Sequence, residues 1–208
     1  MKINKKILAI IPARGGSKRL PGKNIKLFAG KSLLAYAILQ AKESRYIDEV
    51  VVSTESKKIA DISLKYKAQV IARPKKLATD NASVADAMLH AVSFLNKKKY
   101  FPDIVVLLQP TSPLREREDI NKAIEAFIKN ENKCDLVISV CESKLKEEKY
   151  PPNGAIYVMR TENINKIRSI SSSKILPYFM PLEKSIDIDY EIDFKRAEQL
   201  LLKKHEIS

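Results

Sequence analysis

"KILAIIPARGGSKRLPGKN", residues 6 to 24, starts as a run of branched apolar residues and turns at Pro12 into a loop of glycines and cations. The apolar half shows no polar alternation, which marks a strand buried on both faces of a parallel sheet. The second half has little helix or strand propensity and carries Arg14, Lys18, Arg19 and Lys23 around the pair Gly15-Gly16. Paired glycines let backbone N–H groups turn toward an anion with no Cβ in the way. A strand that ends in such a loop predicts an α/β fold with a polyphosphate at its carboxyl edge. Spacing excludes two familiar phosphate loops. A Walker A loop ending in Gly30-Lys31-Ser32 needs glycine at position 25, where Ile25 stands, and there is no G-x-G-x-x-G fingerprint.

The rest of the chain continues the rhythm. "EVVVST" (49–54), "AQVIA" (68–72), "DIVVLLQ" (103–109) and "DLVISV" (135–140) are short β-branched runs. Between them, "KSLLAYAILQAKES", "SKKIADISLKYK", "SVADAMLHAVSFLNK" and "EDINKAIEAFIKN" carry apolar residues at helical spacing. This pattern predicts a three-layer, doubly wound, mostly parallel sheet with its ligand beyond the strand ends. After residue 140 the rhythm breaks. "CESKLKEEKYPPNGAIYVMR" reads as a polar loop entering another strand, and "KILPYFMP" as a further strand or a small projecting arm. "DFKRAEQLLLKKH" closes the chain as an amphipathic helix with Asp193 as its N-cap.

Composition sets the outer bounds. With 208 residues, 45% hydrophobic, the chain suits a single domain over 1–208, with an arm or insertion around 141–182. No apolar run approaches the roughly 20 residues that span a bilayer, and the N-terminus lacks a small-residue cleavage site. No membrane partner is expected. Cys134 and Cys141 flank one strand without metal-ligand spacing, which fits a reducing cytoplasm. The net charge of +13 invites a nucleic-acid reading, but the lysines are scattered and often sit beside acids. They read as a solvated face that would also draw a small anion.

Residues at the strand ends carry the chemistry. In "RPKKLATDNAS" (73–83), Arg73 leaves the third strand, Asp80 and Asn81 are turn formers, and Ser83 suits either a helix cap or a ligand contact. In "LLQPTSPLR" (107–115), Gln109, Thr111 and Ser112 form a hydrogen-bonding loop stiffened by Pro110 and Pro113, suited to a polyhydroxylated molecule. "SIDIDYEID" (185–193) puts Asp187 and Asp189 on one face if it is extended. Carboxylates so spaced suit Mg²⁺ shared with substrate phosphates, against the plainer reading of a solvated acidic edge. No nucleophile–base pair is visible, and His90 and His205 read as structural or exposed.

These segments, with "NGAIY" (153–157), occur in the order found in the acylneuraminate cytidylyltransferases, which the chain resembles nearly from end to end. That family comprises the CMP-sialic acid synthetases and relatives acting on legionaminic and pseudaminic acids. The resemblance implies a nucleotide-diphospho-sugar-transferase-like domain with a dimerisation arm, and a homodimer. It also implies Mg²⁺-dependent transfer of CMP from CTP to the anomeric hydroxyl of a nine-carbon 2-keto sugar acid, with release of pyrophosphate. It assigns Arg14, Gly15, Gly16, Ser17, Lys18 and Asn24 to the nucleotide and its phosphates, joined by Arg73, Ala82 and Ser83, the last near cytosine. Gln109, Thr111, Ser112, Asn153 and Tyr157 would face the acidic sugar, and Asp187 and Asp189 would hold Mg²⁺. Arg14 and Lys18 would meet the charge moving onto pyrophosphate, and Asp189 would lie near the water that takes the hydroxyl proton. Two departures fall on the sugar side: the segment before "NGAIY" is short, and "SISSS" (169–173) stands where many sialic acid enzymes place an aromatic pair. An eight-carbon acceptor, and a protein that binds CTP or a CMP-sugar without turnover, stay open as alternatives.

Overall fold

The structure, a computed structural model, describes residues 4–141 and 151–207, with side chains as far as residue 204. Seven strands form the main sheet: β1 (Ile7–Pro12), β2 (Glu49–Thr54), β3 (Gln69–Ala72), β4 (Ile104–Leu108), β5 (Leu136–Val140), β6 (Pro152–Arg160) and β7 (Ile175–Phe179). Their order across the sheet is β3-β2-β1-β4-β6-β5-β7. Every neighbouring pair is parallel except the two involving β6.

Burial explains the unbroken apolar runs. In β1, Ile7, Ala9 and Ile11 face the layer of α1 (Leu33–Lys42), α2 (Lys57–Lys65) and α4 (Arg117–Asn130). Leu8 and Ile10 face α3 (Val84–Lys97) and the 3-10 segment Thr161–Ser172. A strand sandwiched in this way has no wet face and so no polar alternation. The path of the chain then positions the site. From β1 it steps outward to β2 and β3, and α3 carries it back over the other face to β4, on the far side of β1. The loops after β1 and β4 therefore diverge, leaving a crevice at the carboxyl edge.

"KILPYFMP" is the parallel edge strand β7, in register with β5 from Leu136↔Ile175 to Val140↔Phe179. The described part of the stretch expected to form an arm thus lies in β6, the 3-10 segment and β7. Its remaining residues, 142–150, lie outside the described residues. The last helix, α5, spans Glu191–Ile207 and starts before Asp193. Asp193 Oδ2 reaches back to accept from the backbone N–H groups of Asp189 (3.1 Å) and Tyr190 (2.8 Å), capping the first turn from inside it.

A third, smaller cluster brings the far end of the chain to the first loop. Leu20, Phe28 and Leu33 pack with Leu114, Ile188, Phe194 and Ala197. Phe28 is fully buried, with Tyr36 and Phe194 edge-on to it at 5.4 Å between ring centroids. Phe28→Ala is expected to cost about 3–5 kcal/mol, as for other buried aromatic truncations. A urea midpoint unchanged from the parent protein would show that α5 does not depend on this contact.

Candidate active site

The crevice between the β1 and β4 loops encloses about 650 Å³ and is walled by the basic loop, the 73–84 segment, the β4 loop and Asp189. That size is ordinary for a small-molecule site. Arg14, Ser17, Lys18 and Asn24 line it from the first loop, Arg73, Ala82 and Ser83 from the second, and Gln109 and Thr111 from the third. Four of the five segments singled out in the sequence thus meet at one cavity, the 185–193 segment through Asp189, while no residue of 153–157 lines it.

The cations are already paired. Asp80 bridges Arg14 (2.8 Å) and Lys18 (2.6 Å), and these two partners hold its carboxyl below the usual range. An entering polyanion would compete with Asp80 for these two cations. Asn24 is buried, and its side-chain amide donates to the Arg14 carbonyl at 3.0 Å, bracing the loop. Ser83 Oγ accepts from Ala85 N–H at 3.2 Å, so Ser83 caps α3 while also lining the cavity.

The glycine pair works differently from the anion cradle expected. Neither glycine has a positive φ, and neither lines the main cavity. The Gly15 N–H donates to Glu55 Oε1 at 2.7 Å, so a carboxylate of the protein occupies it. A Cβ on Gly15 would lie 3.0 Å from Ser56 Cβ, while one on Gly16 would meet nothing within 4 Å. Gly15 therefore answers to close approach, and no steric demand acts at Gly16.

Glu55 carries no motif in the sequence, and Asp80 reads there only as a turn former. The signal for Glu55 was its position directly after β2, since carboxyl ends of parallel strands are where α/β sites gather. Asp80 lies in a turn whose sequence gives no sign of which cations it will meet.

At the opposite wall, residues 185–189 form an irregular extended segment rather than a strand. The alternation still holds in part: Ile188 is buried against the first loop, and Ile186 packs on the same cluster. The Ile188 N–H donates to the Thr111 carbonyl at 2.8 Å. Asp189 accepts from Arg19 (2.6 Å) and Lys23 (2.9 Å), and Lys23 first among them holds its carboxyl low. Arg19 and Lys23, read as cations for a phosphate, thus meet the acidic segment in the protein alone. Asp187 keeps contact with solvent, yet the protein enclosing it raises its pKa by desolvation. The nearby Thr111 hydroxyl offsets part of that rise without completing a hydrogen bond, and Asp189 adds like-charge repulsion.

A bulge brings β6 to Asp187. The register between β5 and β6 shifts at Ser139, whose hydroxyl accepts from Ile156 N–H (2.7 Å) and donates to Asn153 Oδ1 (2.6 Å). Bulges beside functional sites re-aim the chain. Here Gly154 adopts φ +74°, and a Cβ on it would lie 3.4 Å from Asp187 Oδ2 and 3.8 Å from Gln109 Oε1.

Of the residues expected to face the sugar, Gln109 and Thr111 line the cavity, while Ser112 is fully buried. Asn153 is engaged inside, donating to Ser185 Oγ at 2.9 Å and accepting from Ser139 and Ala155. Tyr157 is buried on β6, its hydroxyl pKa raised by burial and then by Asp187. Among the described residues no group of three or more His, Cys, Asp or Glu side chains could hold a metal by itself. Asp187 and Asp189 are the carboxylates within reach of an Mg²⁺ ion, which takes one or two from the protein, and Asp189 is already bonded through Oδ1 to Lys23 and Oδ2 to Arg19.

A doubly wound sheet with a basic crevice at its switch point and Asp189 on the facing wall is an α/β domain with its ligand site beyond the strand ends. The fold matches that of a CMP:2-keto-3-deoxy-manno-octonic acid synthetase complexed with CTP, with TM-score 0.76 and 15% identity over 96% of this chain and 99% of that one. It also matches 4-diphosphocytidyl-2C-methyl-D-erythritol synthase from Anaerococcus prevotii, with TM-score 0.68 and 16% identity over 95% of this chain and 96% of that one.

The chain belongs to the cytidylyltransferase family, whose model matches residues 8–205. It is 37% identical to CMP-N,N'-diacetyllegionaminic acid synthase of Legionella pneumophila, over 94% of this chain and 96% of that protein. It is 38% identical to pseudaminic acid cytidylyltransferase of Campylobacter jejuni over 76% of this chain and 66% of that protein. Against N-acylneuraminate cytidylyltransferase of Escherichia coli it is 34% identical over 96% of its own length, spanning 53% of the relative.

The two carboxylates should respond oppositely to neutralisation in metal-free buffer. A raised carboxyl pKa means that the charged form costs stability, increasingly so as pH rises from the unfolded-state value through the folded one. A lowered one contributes stability above the unfolded-state value that is lost as pH falls through the folded one. At neutral pH, Asp187→Asn is therefore expected to raise the urea midpoint and Asp189→Asn to lower it. Shifts of the same sign would contradict the environments assigned to them.

Proposed function

We propose that this protein transfers CMP from CTP to the anomeric hydroxyl of a nonulosonic acid, releasing pyrophosphate. The observation that carries the reading is one crevice into which Arg14, Lys18 and buried Arg73 face, with Asp189 on the opposite wall. End-to-end similarity to a CMP-N,N'-diacetyllegionaminic acid synthase supports the acceptor class.

In this reading the triphosphate takes the place of Asp80 on Arg14 and Lys18. The base lies against Ala82 and Ser83, and the acceptor enters past Gln109 and Thr111. The hydroxyl attacks the α-phosphorus in line as its bond to pyrophosphate breaks, and its proton passes to water near Asp189. Fixed cations aimed at the leaving group act where charge develops, which is the main source of rate in such transfers. Arg14 and Lys18 hold that position, and Arg73, braced on Glu55, holds the nucleotide's side of the crevice. Asp187 and Asp189 would hold Mg²⁺, which when bound supplies charge neutralisation at the phosphates. Lys23 and Arg19 keep Asp189 in place.

A pyrophosphate-release assay with CTP, Mg²⁺ and sialic, legionaminic, pseudaminic and eight-carbon ulosonic acids tests this. Sustained release is expected with at least one nine-carbon acid, abolished by chelation, and reduced roughly a hundredfold or more by Arg14→Ala. No release with any acceptor, from a protein that still binds CTP, would show a binding protein instead.

A further inference from the structure

We infer that Glu55 is a positioning residue for nucleotide binding, acting through Arg73 and the Gly15 turn, an inference that rests on the nucleotide reading of the crevice. Glu55 follows β2 directly, Gly15 lies just beyond β1, and Arg73 follows β3. These are three adjacent strands, and their ends are joined by one carboxylate. Oε1 accepts from Gly15 N–H at 2.7 Å, and Oε2 accepts from Arg73 Nη2 at 3.1 Å. The backbone supports the same alignment, with Ala13 N–H donating to Ser53 O (3.0 Å) and Arg73 N–H to Thr54 O (2.8 Å).

Arg73 needs this partner. Its side chain is 6% exposed, burial lowers its pKa, and Arg14 nearby repels it. Glu55 supplies the opposing charge at a side chain that is 18% exposed, where screening is weak. Nε of Arg73 has no acceptor in the protein. The guanidinium is thus fixed at one end by Glu55 beside the cavity that Arg73 lines. A charged group held in this way pays little ordering cost on meeting an anion.

Both oxygens of Glu55 are occupied, which separates two effects. Glu55→Gln keeps an acceptor for Gly15 but turns an NH₂ donor toward Arg73, breaking one arm. Glu55→Ala removes both. CTP affinity measured calorimetrically on the full chain is expected to weaken roughly tenfold in Glu55→Gln, the scale of one charge-assisted hydrogen bond, and further in Glu55→Ala. In an Arg73→Ala background, Glu55→Gln should change the dissociation constant less than about twofold, because the arm it breaks is already gone. In turnover, KM for CTP should rise with KM for the sugar acid unchanged, whereas loss of folded protein would lower kcat alone.

Multiplicative effects of the two substitutions, or unchanged CTP affinity in Glu55→Gln, would overturn the inference while leaving the crevice a nucleotide site. Should Arg73→Ala itself leave CTP affinity unchanged, Arg73's assignment to the nucleotide would fail, and the inference with it. A Gly15 amide NMR resonance that stays put in folded Glu55→Ala would overturn the Gly15 arm.

Discussion

Lys23 is the hinge on which the site depends. Its ammonium, on a side chain 11% exposed, donates to the Ile188 carbonyl at 2.7 Å and pairs with Asp189 at 2.9 Å. Residues separated by most of the chain are thereby joined at the mouth of the crevice. A nearly buried lysine is costly unless paired and hydrogen-bonded, and here both conditions are met by one segment. The packing of Phe28, Ile188 and Phe194 behind it excludes water, and Asp193 ties α5 to Asp189 from the other side. Without that junction the basic loop would have no opposing wall.

Further charges are held at a desolvation cost near the crevice. Arg115 is fully buried, and burial brings its pKa down to about 9 against the opposing pull of Asp119. Its Nη1 donates at 2.8 Å to the carbonyls of both Gln109 and Ala155, locking the loop after β4 to the bulged strand β6. Arg73 is desolvated in the same neighbourhood. Functional sites often carry such local costs, compensated by packing elsewhere. The two central apolar clusters supply that compensation, sandwiching β1 and β4 on both faces.

The layered fold was legible because its signals are local. Five branched runs and the helical spacing between them require no knowledge of distant partners. The switch point followed from general α/β geometry, and with it the gathering of Arg14, Arg73, Gln109 and their neighbours. The long-range pairing was not legible. That Arg19 and Lys23 meet Asp189, and that Asp80 meets Arg14 and Lys18, depends on where α5 and the 79–83 turn dock. The Gly15-Gly16 pair reads as an anion cradle because it lacks Cβ atoms, yet the Gly15 N–H is held by Glu55 from the end of β2. The resemblance assigns Asn153 and Ser112 to the sugar, whereas both are buried in the protein alone.

In the proposed function one nucleotide spans the crevice from the N-terminus of α3 to the first loop. The most direct measurement is a crystal structure with CTP and Mg²⁺. It should show phosphate oxygens on Arg14 and Lys18, Asp80 released from both, and the cytosine beside Ala82 and Ser83. CTP bound elsewhere, or in the crevice with Asp80 still bridging Arg14 and Lys18, would contradict it.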